Sequence, residues 1–188
     1  YKRLVSIIYR PENYLCLGTE PVSLLDDLAM WNQSTDFISD MQKLDLLTYL
    51  PDDLLAKVDR ASMAVSLETR VPFLDHNIVE FVMKLPIGMK LNNGQSKWLL
   101  RKVLHRYVPE KLIERPKMGF TIPIGEWLKD SLEDWTNSLI NTNRLKREGY
   151  FEHVPITNMW NEHLKGNNNW GHQLWNILVF QSWLEEWM

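Results

Sequence analysis

The sequence predicts an all-α chain, and three observations support this. Apolar residues recur at helical spacing in one segment after another; around GQSKWLLRKVL, for example, Leu100, Val103, Leu104 and Tyr107 stand at i, i+3, i+4 and i+7. No segment alternates convincingly between apolar and polar residues, as half-buried strands do. The punctuation of strand–helix–strand units is absent as well, so we expect an all-α architecture.

The first helices are predicted on either side of a proline. Apolar residues at helical spacing predict one helix over 21–31 and a second over 35–50. Pro51 is expected to stop the second helix. Asp52 and Asp53 then supply a cap and favourable negative charge for a third helix. The apolar face of this third helix is predicted to consist of Leu54, Leu55, Val58, Ala61 and Val65.

The next helices have recognisable ends. One opens at Asp75 and closes at Pro86 and Gly88. The following helix is expected to begin at 94–96, which places Lys97 in its first turn. Because that turn is the positive end of the helix dipole, a lysine there is unfavourable by about 0.3–1 kcal/mol unless it meets an anion.

The C-terminal third is predicted to hold two long helices separated by loops. Apolar spacing predicts a helix over 124–139 and a last one over 172–188, which is apolar on most sides and so buried on several faces. The segments 141–149 and 165–171 are rich in Asn and Gly and are expected to be surface loops.

Composition limits the classes of function. With 188 residues, 45% of them hydrophobic, the chain is globular and corresponds to one domain or a large piece of a bigger protein. A net charge of −3 argues against nucleic acid or an anionic membrane surface as the main partner. There is no apolar run of membrane-spanning length, and the first twenty residues are not expected to be a signal peptide. The single cysteine, Cys16, is expected to be a buried apolar residue and fits a reducing cytoplasm, and the start at Tyr1 suggests a fragment.

Self-contained catalysis is hard to argue from the motifs present. The five histidines show no metal-ligand spacing, so no metal site is predicted. The sequence also lacks a Walker loop, a dinucleotide fingerprint and a nucleophile elbow. Two charged constellations remain as candidates, and each has a purely structural alternative.

The first constellation lies around a predicted helix–loop–helix corner. It could be a local network that only fixes the corner, with Arg70 bridging carboxylates and Asp75 capping a helix. The second constellation could be no more than a set of solvated surface cations. However, Arg115 and Lys117 lie in a loop that contains a glycine and two prolines, and this composition indicates a loop of defined shape. The first consists of Lys57, Asp59, Arg60, Glu68, Arg70 and Asp75, and the second of Lys97, Arg115 and Lys117.

Three blocks of sequence carry a specific resemblance: YLPDDLLAKVDRASMAVSLETRVPFLD, GQSKWLLRKVL and RPKMGFTIPIGEWL. In order and spacing they resemble the C-terminal part of the synthetase domain of glutamine-dependent asparagine synthetases. The resemblance covers most of residues 40–188, and residues 1–40 match only loosely. It implies that residues 1–188 are the C-terminal helical portion of an adenine-nucleotide α-hydrolase-like (ATP-pyrophosphatase, α/β) domain, the part that follows the nucleotide-binding sheet.

The same resemblance implies an ATP-dependent carbon–nitrogen ligase. Such enzymes activate aspartate as β-aspartyl-AMP, release pyrophosphate, and let glutamine-derived ammonia displace AMP. They also carry an N-terminal glutaminase domain and a Ser-Gly-Gly-x-Asp-Ser phosphate loop, neither of which occurs in this sequence. ATP and Mg²⁺ are therefore implied for the complete enzyme, and none is expected to bind this fragment alone. The oligomeric state is left open, with a homo-oligomer as one option.

Residue roles follow from the matching positions. Lys97 matches the lysine that related synthetases place against the reacting carbonyl and phosphates, where it balances developing negative charge. Arg115 and Lys117 are implied to contact pyrophosphate or to belong to a lid. The members of the first constellation are interpreted as the corner that supports the site.

Two alternatives stay open at the level of sequence. One is a paralogous ATP-dependent amidotransferase that acts on another carboxylate, as in polysaccharide or secondary metabolism. The other is a helical interaction module without catalytic activity. A module would tolerate Lys97→Ala and Lys97→Glu alike, whereas an active-site lysine would not.

Overall fold

A computed structural model describes residues 1–31, 36–114 and 122–188. The chain divides into two compact units, one formed by Tyr1–Pro21 with Gly119–Met188 and the other by Val22–Met118. The described residues are mostly helical, which confirms the predicted class, and their one small sheet is a two-stranded hairpin.

The elements follow one another as short helices joined by tight turns. Single 3₁₀ turns cover Pro11–Asn13, Leu28–Met30 and Pro72–Leu74, and a π-type turn covers Leu50–Leu55. The hairpin consists of β1 (Leu91–Asn92) and β2 (Gln95–Ser96). The α-helices are α1 (Lys2–Val5), α2 (Phe37–Leu47), α3 (Ala56–Met63), α4 (His76–Lys84), α5 (Ile87–Lys90), α6 (Trp98–Leu104), α7 (Glu110–Ile113), α8 (Ile124–Lys129), α9 (Glu133–Leu139), α10 (Thr142–Glu148), α11 (His153–Leu164) and α12 (Gly171–Trp187).

The C-terminal helices enclose a continuous apolar core. α12 packs against α8, α9 and α11, and its apolar residues on several sides supply much of the buried surface, as its sequence predicts. Val179, Trp183 and Trp187 nevertheless remain substantially exposed. The core consists of Ile124, Leu128, Leu139, Ile140, Leu145, Ile156, Met159, Trp160, Leu174, Ile177 and Leu178.

The N-terminal segment is attached to this unit through backbone pairing. Leu15 forms an antiparallel bridge with Phe151, and the Cys16 amide donates to the carbonyl of Tyr150 at 2.9 Å. Cys16 is exposed, so the prediction that it is buried is wrong. Desolvation and the nearby Glu152 carboxylate raise the pKa of its thiol.

Two predictions for this unit are wrong at the level of helix boundaries. The predicted helix over 124–139 is interrupted at Asp130, whose φ of −124° and ψ of −98° are not helical. The segment 141–149 was expected to be a loop but contains α10: the Asn141 side chain accepts from the Arg144 amide, and Gly149 ends the helix at φ 72°. The Asn and Gly that suggested a loop are therefore the two caps of a helix.

The loop after α11 is confirmed, and a carboxylate organises it. One Glu162 oxygen accepts from Asn168 Nδ2 and from Trp170 Nε1, each at 2.8 Å. These two hydrogen bonds lower the pKa of Glu162 below its usual value near 4.5. His163, which is buried, continues the arrangement: its Nδ1 accepts from the Trp170 amide at 3.1 Å, so Nε2 carries the hydrogen and donates to the Gly125 carbonyl at 2.9 Å.

Glu162→Gln should lower stability at neutral pH and matter less as the solution becomes acidic. A carboxylate with a depressed folded-state pKa contributes stability above its unfolded pKa and loses it as pH falls through the folded value. The difference between the urea midpoints of the wild-type protein and Glu162→Gln should therefore shrink as the pH falls from 5 to below about 4. A midpoint difference that stays constant over this range would contradict the assignment.

The unit Val22–Met118 has little core of its own among its described residues. Leu44 in α2 is its fully buried apolar side chain, and Asp40 is buried beside it along the same helix. Large apolar side chains in this unit are exposed instead: Val58, Met63, Val65, Leu67, Val71, Phe73, Ile78, Phe81, Val82, Leu100 and Val103. Helices of this unit therefore present apolar faces that the unit's own described residues leave uncovered.

We expect this chain on its own to self-associate or to bind a hydrophobic dye, because such faces are unfavourable in water. Phe73 and Phe81 are 66% and 59% exposed, so replacing both by serine should reduce dye binding and sedimenting aggregates together. A monodisperse monomer that binds no dye would contradict this expectation.

Several boundaries in this unit differ from the sequence prediction. The segment 21–31 is a turn followed by a single 3₁₀ turn, not an amphipathic helix. α2 ends at Leu47, before Pro51, so Pro51 is not its stop. Pro51 lies in the first positions of the π-type turn, where a missing N–H is tolerated, and that turn runs directly into α3. Asp52 and Asp53 lie inside this turn and do not cap α3.

The helix opened by Asp75 is confirmed. The Asp75 carboxylate accepts from the Asn77 amide at 2.9 Å, and α4 ends at Lys84, just before Pro86. Gly88, in contrast, lies inside α5 and does not close α4.

Candidate functional site

A tight hairpin stands immediately before Lys97. Leu91 pairs with Ser96 and Asn92 with Gln95, and the two-residue loop between them is Asn93-Gly94. Both loop residues have positive φ, 47° and 77°, as a type I′ turn requires. The helix predicted to begin at 94–96 therefore begins later, at Trp98.

Lys97 is the residue that turns the chain from this hairpin into α6. It is the N-cap, not a first-turn residue, and its φ of 57° and ψ of 31° lie in the left-handed region. For a residue with a Cβ this conformation costs about 1–2 kcal/mol relative to the right-handed one. The side chain is exposed, and in the described part of the chain it forms no ion pair and no capping hydrogen bond. Lys97 thus has an unfavourable backbone conformation at the start of α6, and its ammonium is exposed.

A second group of charges lies next to Lys97 and was not predicted. The Arg101 guanidinium donates through Nε to the Ser96 carbonyl at 3.1 Å and through Nη1 to the Glu114 carboxylate. His105 Nε2 lies 3.6 Å from the same Glu114 oxygen. Arg101 and Glu114 are 13 positions apart in the sequence, so no helical spacing could have indicated the pair.

The first constellation forms separate local contacts. Lys57 Nζ lies 3.7 Å from the Asp53 carboxylate, and Arg70 pairs with Glu68 at 2.9 Å, all on exposed side chains. Among the described residues Arg70 thus pairs with one carboxylate, that of Glu68, while the Asp75 carboxylate caps α4. Exposed pairs of this kind contribute little stability.

The remaining members of that constellation are not joined to these pairs. The Asp59 carbonyl accepts from Ser62 Oγ at 3.1 Å, and Arg60 is exposed on the same helix. No hydrogen bond or ion pair between described residues connects this constellation to Lys97. The described residues of this corner therefore form separate local contacts and not one network.

Two predicted site residues cannot be placed. Arg115 and Lys117 lie outside the described residues. Among residues 1–31, 36–114 and 122–188, no three His, Cys, Asp or Glu side chains come together as a metal site would need. In the same ranges no helix is long and apolar enough to cross a membrane.

Comparison of the sequence with known protein families identifies a family for this chain. The family model described as asparagine synthase matches residues 11–185 of the chain. The chain belongs to the asparagine synthase family. The asparagine synthase match begins at residue 11, so it also includes most of the segment before residue 40 that the sequence blocks matched only loosely.

Relatives within the asparagine synthase family are moderately similar. The chain is 34% identical over 146 residues to asparagine synthetase [glutamine-hydrolyzing] 1 of Bacillus subtilis, which covers 78% of this chain and 23% of the relative. It is 35% identical over 150 residues to a putative asparagine synthetase of Mycobacterium tuberculosis, covering 79% and 22%. The mouse asparagine synthetase is 30% identical over 147 residues, covering 68% and 25%. The matched region is thus about a quarter of the length of these relatives, and no solved structure matches the chain with significance.

Proposed function

We propose that this sequence is part of a glutamine-hydrolysing asparagine synthetase, an ATP-dependent ligase that forms asparagine from aspartate, ATP and glutamine. The observation that carries the proposal is the asparagine synthase match over residues 11–185, which includes the block around Lys97. The relatives' names support the same reaction. Within such an enzyme we infer that residues 1–188 are the helical part of an adenine-nucleotide α-hydrolase-like domain in the cytoplasm.

The reaction needs positive charge near the reacting atoms. Activation of the aspartate carboxylate by ATP gives β-aspartyl-AMP and pyrophosphate, and attack of ammonia builds an oxyanion before AMP leaves. The exposed Lys97 ammonium, which no described carboxylate neutralises, is suited to oppose that charge. We infer that Arg115 and Lys117 contact the pyrophosphate, since arginine and lysine both bind phosphate oxygens.

The corner around Lys57, Asp59, Arg60, Glu68, Arg70 and Asp75 is proposed to support the site from outside. Its contacts are short-range, so each residue would act on the position of the local backbone and not on the reacting atoms. Asp75 has the clearest part, because its cap fixes where α4 begins.

ATP and Mg²⁺ require groups that this sequence does not supply. Phosphates are held by backbone amides of a glycine-rich turn and Mg²⁺ by carboxylates with the phosphates, but the sequence has no such turn and the described residues form no metal site. We therefore assign the phosphate loop, the Mg²⁺ ligands and the glutaminase to other parts of the complete protein.

The test of the proposed function is an assay of the complete protein that contains this sequence. With aspartate, ATP and glutamine, we expect asparagine, AMP and pyrophosphate in equal amounts. Aspartate alone should support exchange of pyrophosphate into ATP. Product formation with a different carboxylate but not with aspartate would overturn the assignment of aspartate as the substrate. Absence of pyrophosphate exchange with every carboxylate would overturn the assignment as a ligase.

A further expectation concerns the chain alone. Because it lacks the phosphate loop, we expect it to bind Mg-ATP no more tightly than the millimolar range, against the micromolar range of a complete site. Titration calorimetry of the 188-residue chain measures this. Micromolar binding would show that the chain holds a nucleotide site of its own.

A further inference from the structure

Arg101 contacts the backbone on both sides of Lys97. Its amide donates to the Lys97 carbonyl at 2.9 Å, and its Nε donates to the Ser96 carbonyl at 3.1 Å. The first carbonyl belongs to the peptide after Lys97 and the second to the peptide before it. Because φ and ψ of a residue are the rotations that relate these two peptides, anchoring both of them to one residue restricts the conformation of Lys97.

The Arg101 side chain is itself held in place. Its Nη1 pairs with the Glu114 carboxylate, and the two side chains are 23% and 34% exposed. His105 lies beside the same carboxylate, with its Nε2 buried and 3.6 Å from the Glu114 oxygen. A planar guanidinium can direct Nε and Nη1 to two acceptors at a fixed angle, whereas the single ammonium of lysine cannot reproduce this fork.

Lys97 needs such a constraint. Its left-handed conformation is disfavoured by about 1–2 kcal/mol and persists only where surrounding groups impose it. Its own side chain makes no capping hydrogen bond. Because the left-handed and right-handed conformations point the Cα–Cβ bond in different directions, the position of the ammonium depends on the backbone that Arg101 holds.

We propose that Arg101, oriented by Glu114, is a positioning residue that fixes Lys97 in its left-handed conformation for the synthetase reaction. The proposal rests on the proposed function of Lys97. It does not require Arg101 to touch substrate, and it predicts that Arg101 acts only through Lys97.

The test is a double-mutant cycle in the complete enzyme. Arg101→Lys keeps the charge and loses the fork, and we expect it to lower kcat for asparagine formation by roughly 10–10²-fold, the scale of a small misplacement, with smaller changes in KM. In the Lys97→Ala background the same change should have no further effect on the residual turnover. Glu114→Gln should also lower kcat, because it weakens the contact that orients Arg101, and it tests the same proposal if Arg101→Lys does not fold.

The matched control is Lys102→Gln. Lys102 is the next residue on α6, and its ammonium lies over the Trp98 ring, 5.9 Å from the centroid. Its replacement by glutamine removes a positive charge beside Arg101, a larger change in charge than Arg101→Lys makes, without touching the Ser96 carbonyl. It should leave kcat unchanged. Glutaminase turnover, which needs no residue of this cluster, should be unaffected in every variant.

The outcomes distinguish a failure of the proposed role of Lys97 from a failure of the proposed role of Arg101. If Lys97→Ala itself leaves turnover intact, the proposed role of Lys97 fails. If Lys97→Ala lowers turnover but Arg101→Lys is neutral, or lowers the rate by the same factor in both backgrounds, the positioning role fails. Non-additive loss with normal melting temperatures supports it.

Discussion

Lys97→Ala is expected to lower asparagine formation by the complete enzyme roughly 10²–10³-fold, the scale for removing one preorganised charge stabiliser. The exposed ammonium stands at the start of α6 without a described counter-ion, so its charge is available to a developing anion. The effect should appear mainly in kcat, because the oxyanion and the departing pyrophosphate develop their charge during the reaction. Steady-state rates of asparagine and AMP formation measure it.

Three further measurements distinguish a catalytic role of Lys97 from a purely structural one. Glutaminase turnover should survive, since that chemistry belongs to another domain. Lys97→Arg should restore little activity, because a planar fork does not replace a compact ammonium. Lys97→Gly should lose activity and yet melt at an equal or higher temperature than Lys97→Ala, because glycine adopts the left-handed conformation without strain. Near wild-type synthetase turnover in Lys97→Ala would end the catalytic assignment.

The sequence predicted those elements whose signals are local. Asp75 at the start of α4 and the apolar periodicity of α12 each depend on residues close in sequence, and both are confirmed. The hairpin before Lys97 had a local signal as well, the Asn93-Gly94 pair. The helical spacing of α6 instead predicted a start at 94–96, two to four positions before the observed start at Trp98, and this placed Lys97 inside the first turn and not at the N-cap.

Other features depend on contacts that sequence spacing does not encode. Leu128 and Leu139 are about three helical turns apart, so both would face the same side of a straight helix, and both are buried in one core. The apolar periodicity therefore continues across the break at Asp130 and could not reveal it. The Arg101–Glu114 pair likewise requires the chain to return after α6. The roles of Arg115 and Lys117 stay predictions, because these residues lie outside the described ranges.

The largest stability effect is expected for Leu178→Ala. Leu178 is fully buried in the core that α12 shares with α8, α9 and α11, so its loss removes apolar contacts and leaves a cavity that neighbours fill only in part. Such replacements cost about 2–5 kcal/mol of unfolding free energy. Most of the nine tryptophans lie in residues 122–188, so their fluorescence reports on this unit directly during urea unfolding.

Val179→Ala is the matched control for this prediction. Val179 follows Leu178 on the same helix but is 48% exposed, so its replacement opens no internal cavity. Alanine also has the higher helix propensity, by up to about 0.7 kcal/mol, which offsets the apolar contact that is lost. At one low protein concentration, the urea midpoint should fall strongly for Leu178→Ala and change little for Val179→Ala. Equal shifts of the two midpoints would show that this face of α12 does not form the core.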